Sequence, residues 1–542
     1  MFILTFDIGT TGVKTCLFNL SGNKRDSQSD RSLQLIDTAF GDYGLEILPN
    51  GGAEQDPDEW WSAIVDTSRS IAANHPEAAR EMAGISFCSQ MQSVVLLDKA
   101  GRHLRPSMSY MDQRAGDMKE KYGGPGPKIA DVGIPFLLKS LLQTGVVSAS
   151  DKDPVWKYLW VKENEPDVFK NIYKWLDVKE AIIARMTGRF VRSHDSAFTM
   201  LLLDKDDNNP AYSLPLIRSL GIEESHLPEI VDSTENVGGL LEEIASEMGL
   251  RAGTPVFAGG GDSSLSSIGA GCVAPGDTHI YMGTSGWASA VTDRRITDTQ
   301  AMVASVVGVQ PGLYNYFAEL ETAGKCLEWV RDHLALDEIN IYLSKTSVSD
   351  GPGCEYASLY DYLSEVISKS PSGSGGVIFT PWLHGNRCPF EDSNARGMFF
   401  NIGLETGKTE LIRAVVEGVC YHMRWFVELI EKRMEVKSPI RFIGGGALSS
   451  VTAGILADIL QLPVETTEDP QNFGAVGAAL LVAAGLGELE DLSEARNIVR
   501  VSSTSNPNPD TKAVHDRNFE VFKTMYKANR AAFQILNATT EE

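Results

Sequence analysis

The sequence has no apolar run of about 18 residues, the length a membrane-spanning helix needs. Its opening, MFILTFDIG, carries Asp7 and lacks the basic start of a secretory signal. Basic residues are in short supply: 48 Lys and Arg stand against 72 Asp and Glu, a formal net charge of −24. That imbalance opposes bulk binding to nucleic acid or anionic lipid. Any phosphate must be held locally, by backbone N–H groups or a metal. Cysteine is sparse and odd in number, with seven residues at 16, 88, 272, 326, 354, 388 and 420 and no C-x-x-C pair. This argues against a disulfide frame or a zinc site and reads as reduced thiols in a cytoplasmic protein. The nine histidines are scattered without metal spacing and read as core or surface residues. What is present is ordinary: 542 residues, 43% hydrophobic and 22% charged, enough for more than one globular domain.

The first 20 residues say most. Phe2 to Asp7 is rich in β-formers, Gly9-Thr10-Thr11-Gly12 is a turn, and Val13 to Asn19 is a second strand. A strand–turn–strand order excludes a dinucleotide fingerprint and a Walker A loop, both of which need a helix after the glycines. Asp56-Pro57-Asp58-Glu59 signals a helix start before a Trp60-Trp61 pair that reads as packing. Further helices are expected over Asp153–Glu163, Asp177–Met186, Thr409–Lys432 and Lys512–Leu536. After the break at Gly253-Thr254-Pro255 the opening theme returns. PVFAGGGDSS and THIYMGTSGW each run an apolar strand into glycines. The second half therefore reads as a second copy of the first fold theme, with domains over 1–253 and 254–542.

Four motifs carry chemistry. In Asp7-Ile8-Gly9-Thr10-Thr11-Gly12, glycines let backbone N–H groups approach a polyanion, and the threonines add hydroxyl donors. Asp7 is placed to hold Mg²⁺ beside those phosphates. In Gly259-Gly260-Gly261-Asp262-Ser263-Ser264, the acid can accept a proton from a substrate hydroxyl or cap the following helix, and the two roles are compatible. Gly283-Thr284-Ser285-Gly286 echoes the first turn. Gly444-Gly445-Gly446-Ala447-Leu448-Ser449 opens backbone that can lie flat against a nucleotide. Singly, each reads equally well as a tight turn. Their distribution over two related α/β halves is what suggests one cleft.

At this point the chain resembles the FGGY carbohydrate kinases of the actin-like ATPase superfamily. DIGTTGVK resembles their first phosphate loop, GTSG the second and FIGGGALSS the adenosine loop. The likeness runs from residue 3 to about residue 485 and includes AEQDPDEWW, YMDQRA and NFGAVGAALLVAAGLG. Within the family the pattern is most similar to that of xylulokinases. The resemblance implies two actin-like ATPase (ribonuclease H-like) domains facing a central catalytic cleft. It implies transfer of the γ-phosphoryl group of ATP, with Mg²⁺, to a hydroxyl of a small sugar such as a ketopentose, in a chain that commonly dimerises.

Residue by residue, the resemblance maps the catalytic base to Asp262 and the metal position to Asp7. Phosphate and nucleotide contacts map to Thr10, Thr11, Gly12, Thr284, Ser285, Gly445, Gly446, Ala447 and Ser449. Sugar-facing positions map to Met91, Gln92, Tyr110, Asp112 and Ser263. Gln92 stands where the xylulokinase pattern has His, and Ser263 where it has Asn. Such changes alter hydroxyl readout, so other ketoses and polyols stay open. The reading from a different class is an actin-like or chaperone-like ATPase, which would share the phosphate turns without the sugar loops.

Overall fold

The computed structural model of the protein describes residues 1–22, 31–129, 131–206, 209–298, 300–334 and 359–538. It forms two compact α/β units. The first comprises Met1–Gly269, Val306–Leu313 and Gly474–Ile498; the second comprises Ala270–Ser305, Tyr314–Phe473 and Val499–Glu542. Among the described residues no helix is long and apolar enough to cross a membrane. Six cysteines are free and buried, and Cys354 lies outside the described residues.

The first unit is built on a seven-stranded sheet. Strand β1 (Phe2–Ile8) is its centre, with Ile3, Leu4, Phe6 and Ile8 fully buried, as a strand covered on both faces requires. The Gly9–Thr11 turn folds β2 (Gly12–Ser21) back antiparallel, pairing Ile8 with Val13, and β3 (Ser32–Asp42) continues the meander. Helix α1 (Pro57–Asn74) then crosses to β4 (Met82–Ser89), which lies parallel to β1. Asp56 caps α1 by accepting from the Asp58 amide, and Trp60, Trp61 and Ile64 bury its inner face. Helices α2 (Pro154–Asn164) and α3 (Val178–Thr187) follow. Strands β5 (Asn236–Gly239), β6 (Pro255–Phe257) and the two-residue β7 (Gly260–Gly261) complete the sheet; helix α4 (Asp262–Gly269) starts directly from β7.

The second unit repeats this plan. Strand β8 (Thr278–Met282) turns at Gly283–Ser285 into antiparallel β9 (Gly286–Thr292), which pairs with β10 (Tyr314–Leu320). Strand β11 (Ile440–Ile443) is parallel to β8, β12 (Val464–Thr467) is parallel to β11, and β13 (Val501–Ser505) closes that side antiparallel. The order β10-β9-β8-β11-β12-β13 matches β3-β2-β1-β4-β6-β5 of the first unit. Two short strands, Thr297–Asp298 and Val303–Val307, extend the second sheet to eight. Helices α5 (Lys408–Glu431), α6 (Ser450–Leu460) and α7 (Lys512–Asn537) contribute to its core.

The division expected at 253/254 falls inside the first sheet. Val256 of β6 pairs with Ile85, and Gly260 and Gly261 pair with Cys88 and Ser89. Residues 254–269, Asp262 among them, accordingly belong to the first compact unit rather than to the second. The four buried histidines are structural: His226 bonds Tyr158, His279 bonds Trp287, His422 bonds Trp382 and the Cys388 carbonyl, and His515 bonds Tyr421.

Candidate active site

Three parallel strands of the first unit end together. Asp7 of β1 and Gly260 of β7 both register with Cys88 of the intervening β4. Two strand spacings separate them, roughly 10 Å, and Asp262 follows two residues after Gly260. The carboxyl ends of parallel strands are where loops diverge and leave room for ligands. Gly259, at φ 68, makes the bend before β7; a Cβ there would collide with the Phe87 carbonyl. The Gly261 amide donates to Asp195 Oδ2 at 2.8 Å, and Asp195 Oδ1 accepts from Ser193 Oγ at 2.6 Å and Ser233 Oγ at 3.2 Å. Asp195 is wholly buried and fixes the backbone from which Asp262 projects. Asp262 remains partly exposed and accepts from the Ser263 amide at 2.6 Å, so it opens α4 and faces outward at once.

The electrostatics of this strand end centre on Cys88. Burial pushes its thiol well up, and Asp7, Asp262 and Asp195 push it further, so it stays protonated and donates to Asp7. Burial also raises the Asp7 carboxyl, while Lys14 and the Cys88 hydrogen bond pull it back. A carboxylate oxygen in this setting, beside the hydroxyl-bearing Thr10–Thr11 turn, is a hard donor suited to Mg²⁺.

The 9–12 turn is braced on all sides. The Gly9 amide donates to the Gly12 carbonyl at 2.9 Å. Tyr43 Oη lies 2.6 Å from the Gly9 carbonyl oxygen and 2.9 Å from that of Gly12. Gln90 Nε2 donates to Gln55 Oε1 at 2.8 Å, and Gln55 Nε2 donates to the Thr10 carbonyl at 2.7 Å. Thr10 Oγ1 and Tyr110 Oη lie 3.3 Å apart. Thr11 is exposed at the tip, whereas Gly12 is buried with no room for a side chain beside Phe40.

Of the expected sugar-facing residues, Met91, Gln92, Tyr110 and Ser263 are partly exposed at this same strand end. Ser263 Oγ donates to Met91 Sδ at 3.3 Å. Gln92 is held at φ 67, a conformation that costs a non-glycine residue on the order of 1–3 kcal/mol. Asp112 differs from expectation. It is fully buried, accepting from the Ala53 amide at 2.9 Å and from Arg114 Nη2 at 2.7 Å. Arg114 in turn pairs with Glu54 at 2.8 Å and lies over the Trp160 ring. Asp112 therefore braces its loop instead of presenting a carboxylate to a ligand.

In the second unit the two glycine turns leave adjacent parallel strands, with Tyr281 in register with Ile443. Thr284 is exposed and Ser285 partly so, and the Thr284 carbonyl accepts from the Ala323 amide at 3.1 Å. Gly444 sits at φ 91 with the Met282 carbonyl 2.6 Å from where a Cβ would lie, so only glycine fits. Gly445 is exposed, Gly446 partly exposed and Ala447 buried. Ser449 caps α6 by accepting from the Thr452 amide at 3.2 Å. The Tyr281 ring stacks on Trp287 at 3.8 Å and packs under both Gly283 and Gly444.

Residues 2–269 match the N-terminal domain of the FGGY family of carbohydrate kinases, and residues 279–486 match its C-terminal domain. The chain belongs to the FGGY family of carbohydrate kinases. A xylulose kinase of Staphylococcus xylosus is 26% identical over 97% of this chain and 99% of its own length. A gluconokinase of Bacillus subtilis is 27% identical over 92% of this chain and 90% of its own. The crystal structure of a ligand-bound xylulose kinase from Lactobacillus acidophilus superposes with a TM-score of 0.81 at 24% identity, covering 99% of this chain and all of that one. The protein is thus a phosphotransferase with an alcohol acceptor, and FGGY kinases use ATP as donor.

Several residues that shape this FGGY kinase's site carry no motif. Tyr43, Gln55, Lys157, Asp177 and Asp195 act through main-chain atoms. Gln55 lies within AEQDPDEWW, a stretch read only as family-like. Lys157 had a signal that went unused: a lone charge inside PVWKYLWV, a run otherwise fit for a core.

Proposed function

We propose that this kinase transfers the γ-phosphoryl group of ATP to a hydroxyl of a neutral ketopentose, with D-xylulose the leading candidate. The observation that carries the reading is the row Asp7–Cys88–Gly260, which brings Asp7 and, two residues beyond Gly260, Asp262 to one strand end. Asp262 takes the proton of the acceptor hydroxyl as its oxygen attacks the γ-phosphorus. The bond to the β–γ bridging oxygen breaks, and ADP leaves with that electron pair. Amides and hydroxyls of the 10–12 and 284–285 turns stabilise the transferring group. Gly445, Gly446 and Ala447 lie against the nucleotide, and Ser449 fixes the end of that turn. Mg²⁺ would be held through Asp7, where it neutralises phosphate charge. Met91, Gln92, Tyr110 and Ser263 read the sugar.

Two observations favour a neutral sugar over a sugar acid such as gluconate. Arg114 is spent on Asp112 and Glu54. Lys157 is spent on two main-chain carbonyls. Neither of these two cations is offered to a substrate carboxylate. A coupled ADP-release assay over D-xylulose, other ketoses, aldoses, polyols and gluconate tests this. D-xylulose should give the highest kcat/KM. A higher value for gluconate or a polyol overturns the substrate assignment, and ATP consumption indifferent to every sugar overturns the kinase mechanism.

A further inference from the structure

Gln92 is one of the two positions, with Ser263, at which this chain departs from the xylulokinase-like pattern, and its backbone is left-handed at φ 67. Such a conformation persists only where the surroundings over-determine it. Here two buried ions grip the peptide groups on both sides of the residue. The Gln92 amide donates to Asp177 Oδ2 at 2.9 Å, and the Ser93 amide donates to Asp177 Oδ1 at 3.1 Å. The Gln92 carbonyl accepts from Lys157 Nζ at 2.9 Å. The same ammonium donates at 2.8 Å to the Ser109 carbonyl, the residue before Tyr110. Lys157 is fully enclosed on α2, and Asp177 is 2% exposed at the start of α3, whose Val178 amide it also binds.

We propose that Lys157 and Asp177 are positioning residues for sugar selection: together they clamp the Gln92 loop and tie it to the Tyr110 loop. Their role in choosing a sugar rests on the ketose-kinase reading; the clamp itself does not. A lysine is costly to bury, and a neutral donor would suffice if the aim were only to satisfy two carbonyls. A charged donor gives shorter and stronger bonds, which suits a device that must hold a strained turn. Burial, with Lys152, opposes the charge, while Asp112, Asp177 and Asp153 favour it; the balance lowers the ammonium to about 8, which leaves it charged at neutral pH. The arrangement makes an asymmetric prediction. Lys157 touches both loops, whereas the loop bonds of Asp177 go to the Gln92 side.

The test uses full-length Lys157→Met and Asp177→Asn proteins, with amide hydrogen exchange read on peptides spanning residues 88–97, 107–116, 279–287 and 440–448. Both variants should speed exchange in 88–97 by about tenfold or more, the loss of a charge-assisted bond. Only Lys157→Met should do so in 107–116, and the two peptides of the second unit should not change. In steady state, KM for D-xylulose should rise about tenfold while KM for ATP stays within about twofold. Unchanged exchange in 88–97, or an equal rise in all four peptides, overturns the clamp. Parallel shifts in both KM values overturn its role in sugar selection. A wild-type protein that phosphorylates neither D-xylulose nor any other ketose overturns the ketose reading, and the exchange comparison still decides the clamp.

Discussion

The two units use one sheet plan for two purposes. Each has a central strand that turns through two glycines into an antiparallel neighbour, with a parallel neighbour on the other side. The turns correspond closely, Gly9-Thr10-Thr11-Gly12 in one and Gly283-Thr284-Ser285-Gly286 in the other. What differs is the residue two places before the first glycine. It is Asp7 in the first unit and Tyr281 in the second. The first unit adds another acid, Asp262, directly after a short extra strand that has no counterpart among the described residues of the second sheet. The second unit instead places an aromatic ring under both of its glycine turns. The duplicated scaffold supplies phosphate-type turns twice. The copies differ in the residues that follow the shared plan: carboxylates in the first, a stacked aromatic pair in the second.

The sharpest way to break this comparison is Asp262→Asn. It should lower kcat by about a thousandfold, as loss of a general base does, with ATP affinity by calorimetry unchanged. An equal loss of ATP affinity would mean that the acid serves nucleotide binding and that the units are not divided by role.

The brace beneath the sugar loops sharpens the first-unit side through its pH dependence. Burial lowers the Lys157 ammonium to about 8, from an ordinary lysine value of 10.5. Between those values the unfolded chain binds a proton that the folded chain does not, so stability rises with pH there. The Lys157 contribution is fully present above the upper value and is lost as pH falls through the lower. Relative to Lys157→Met, the wild type should gain roughly 1 kcal/mol per pH unit between about pH 8 and pH 10. Thermal melts of the two proteins across that range check it; a constant difference contradicts it.

On the second-unit side, Gly444→Ala forces a Cβ onto a residue at φ 91, against the Met282 carbonyl. At a strain of about 1–3 kcal/mol, KM for ATP should rise around tenfold with KM for sugar little changed. The smallest effect is expected for Tyr43→Phe, which frees the first turn from its phenol. One neutral hydrogen bond is worth about 1 kcal/mol, so KM for ATP should rise about fivefold. Fluorescent-nucleotide titration distinguishes these outcomes from a general loss of folding.

The parts of this site legible in the sequence are those encoded locally. Glycines and threonines between runs of β-formers mark both phosphate turns, and Asp56-Pro57 marks the start of α1, because each depends on residues within a few positions. Strands β6 and β7 were not legible as members of the first sheet. They are three and two residues long, and their pairing partner, β4, is remote in sequence. That is why the domain division was expected too early. The enclosure of Asp112 was equally hidden, since it depends on Ala53 and on the Glu54 carboxylate that shares Arg114. Lys157 and Asp177 grip backbone atoms, which every residue possesses, so no side-chain pattern announces their partners.

The central claim is that a sugar hydroxyl, deprotonated at the first unit's strand end, receives the phosphoryl group. Phosphorus NMR of wild-type protein with ATP, Mg²⁺ and D-xylulose tests it most directly. A phosphomonoester should accumulate in step with ADP, and without sugar both signals should stay near baseline. Orthophosphate forming at the same rate with and without sugar would contradict the account.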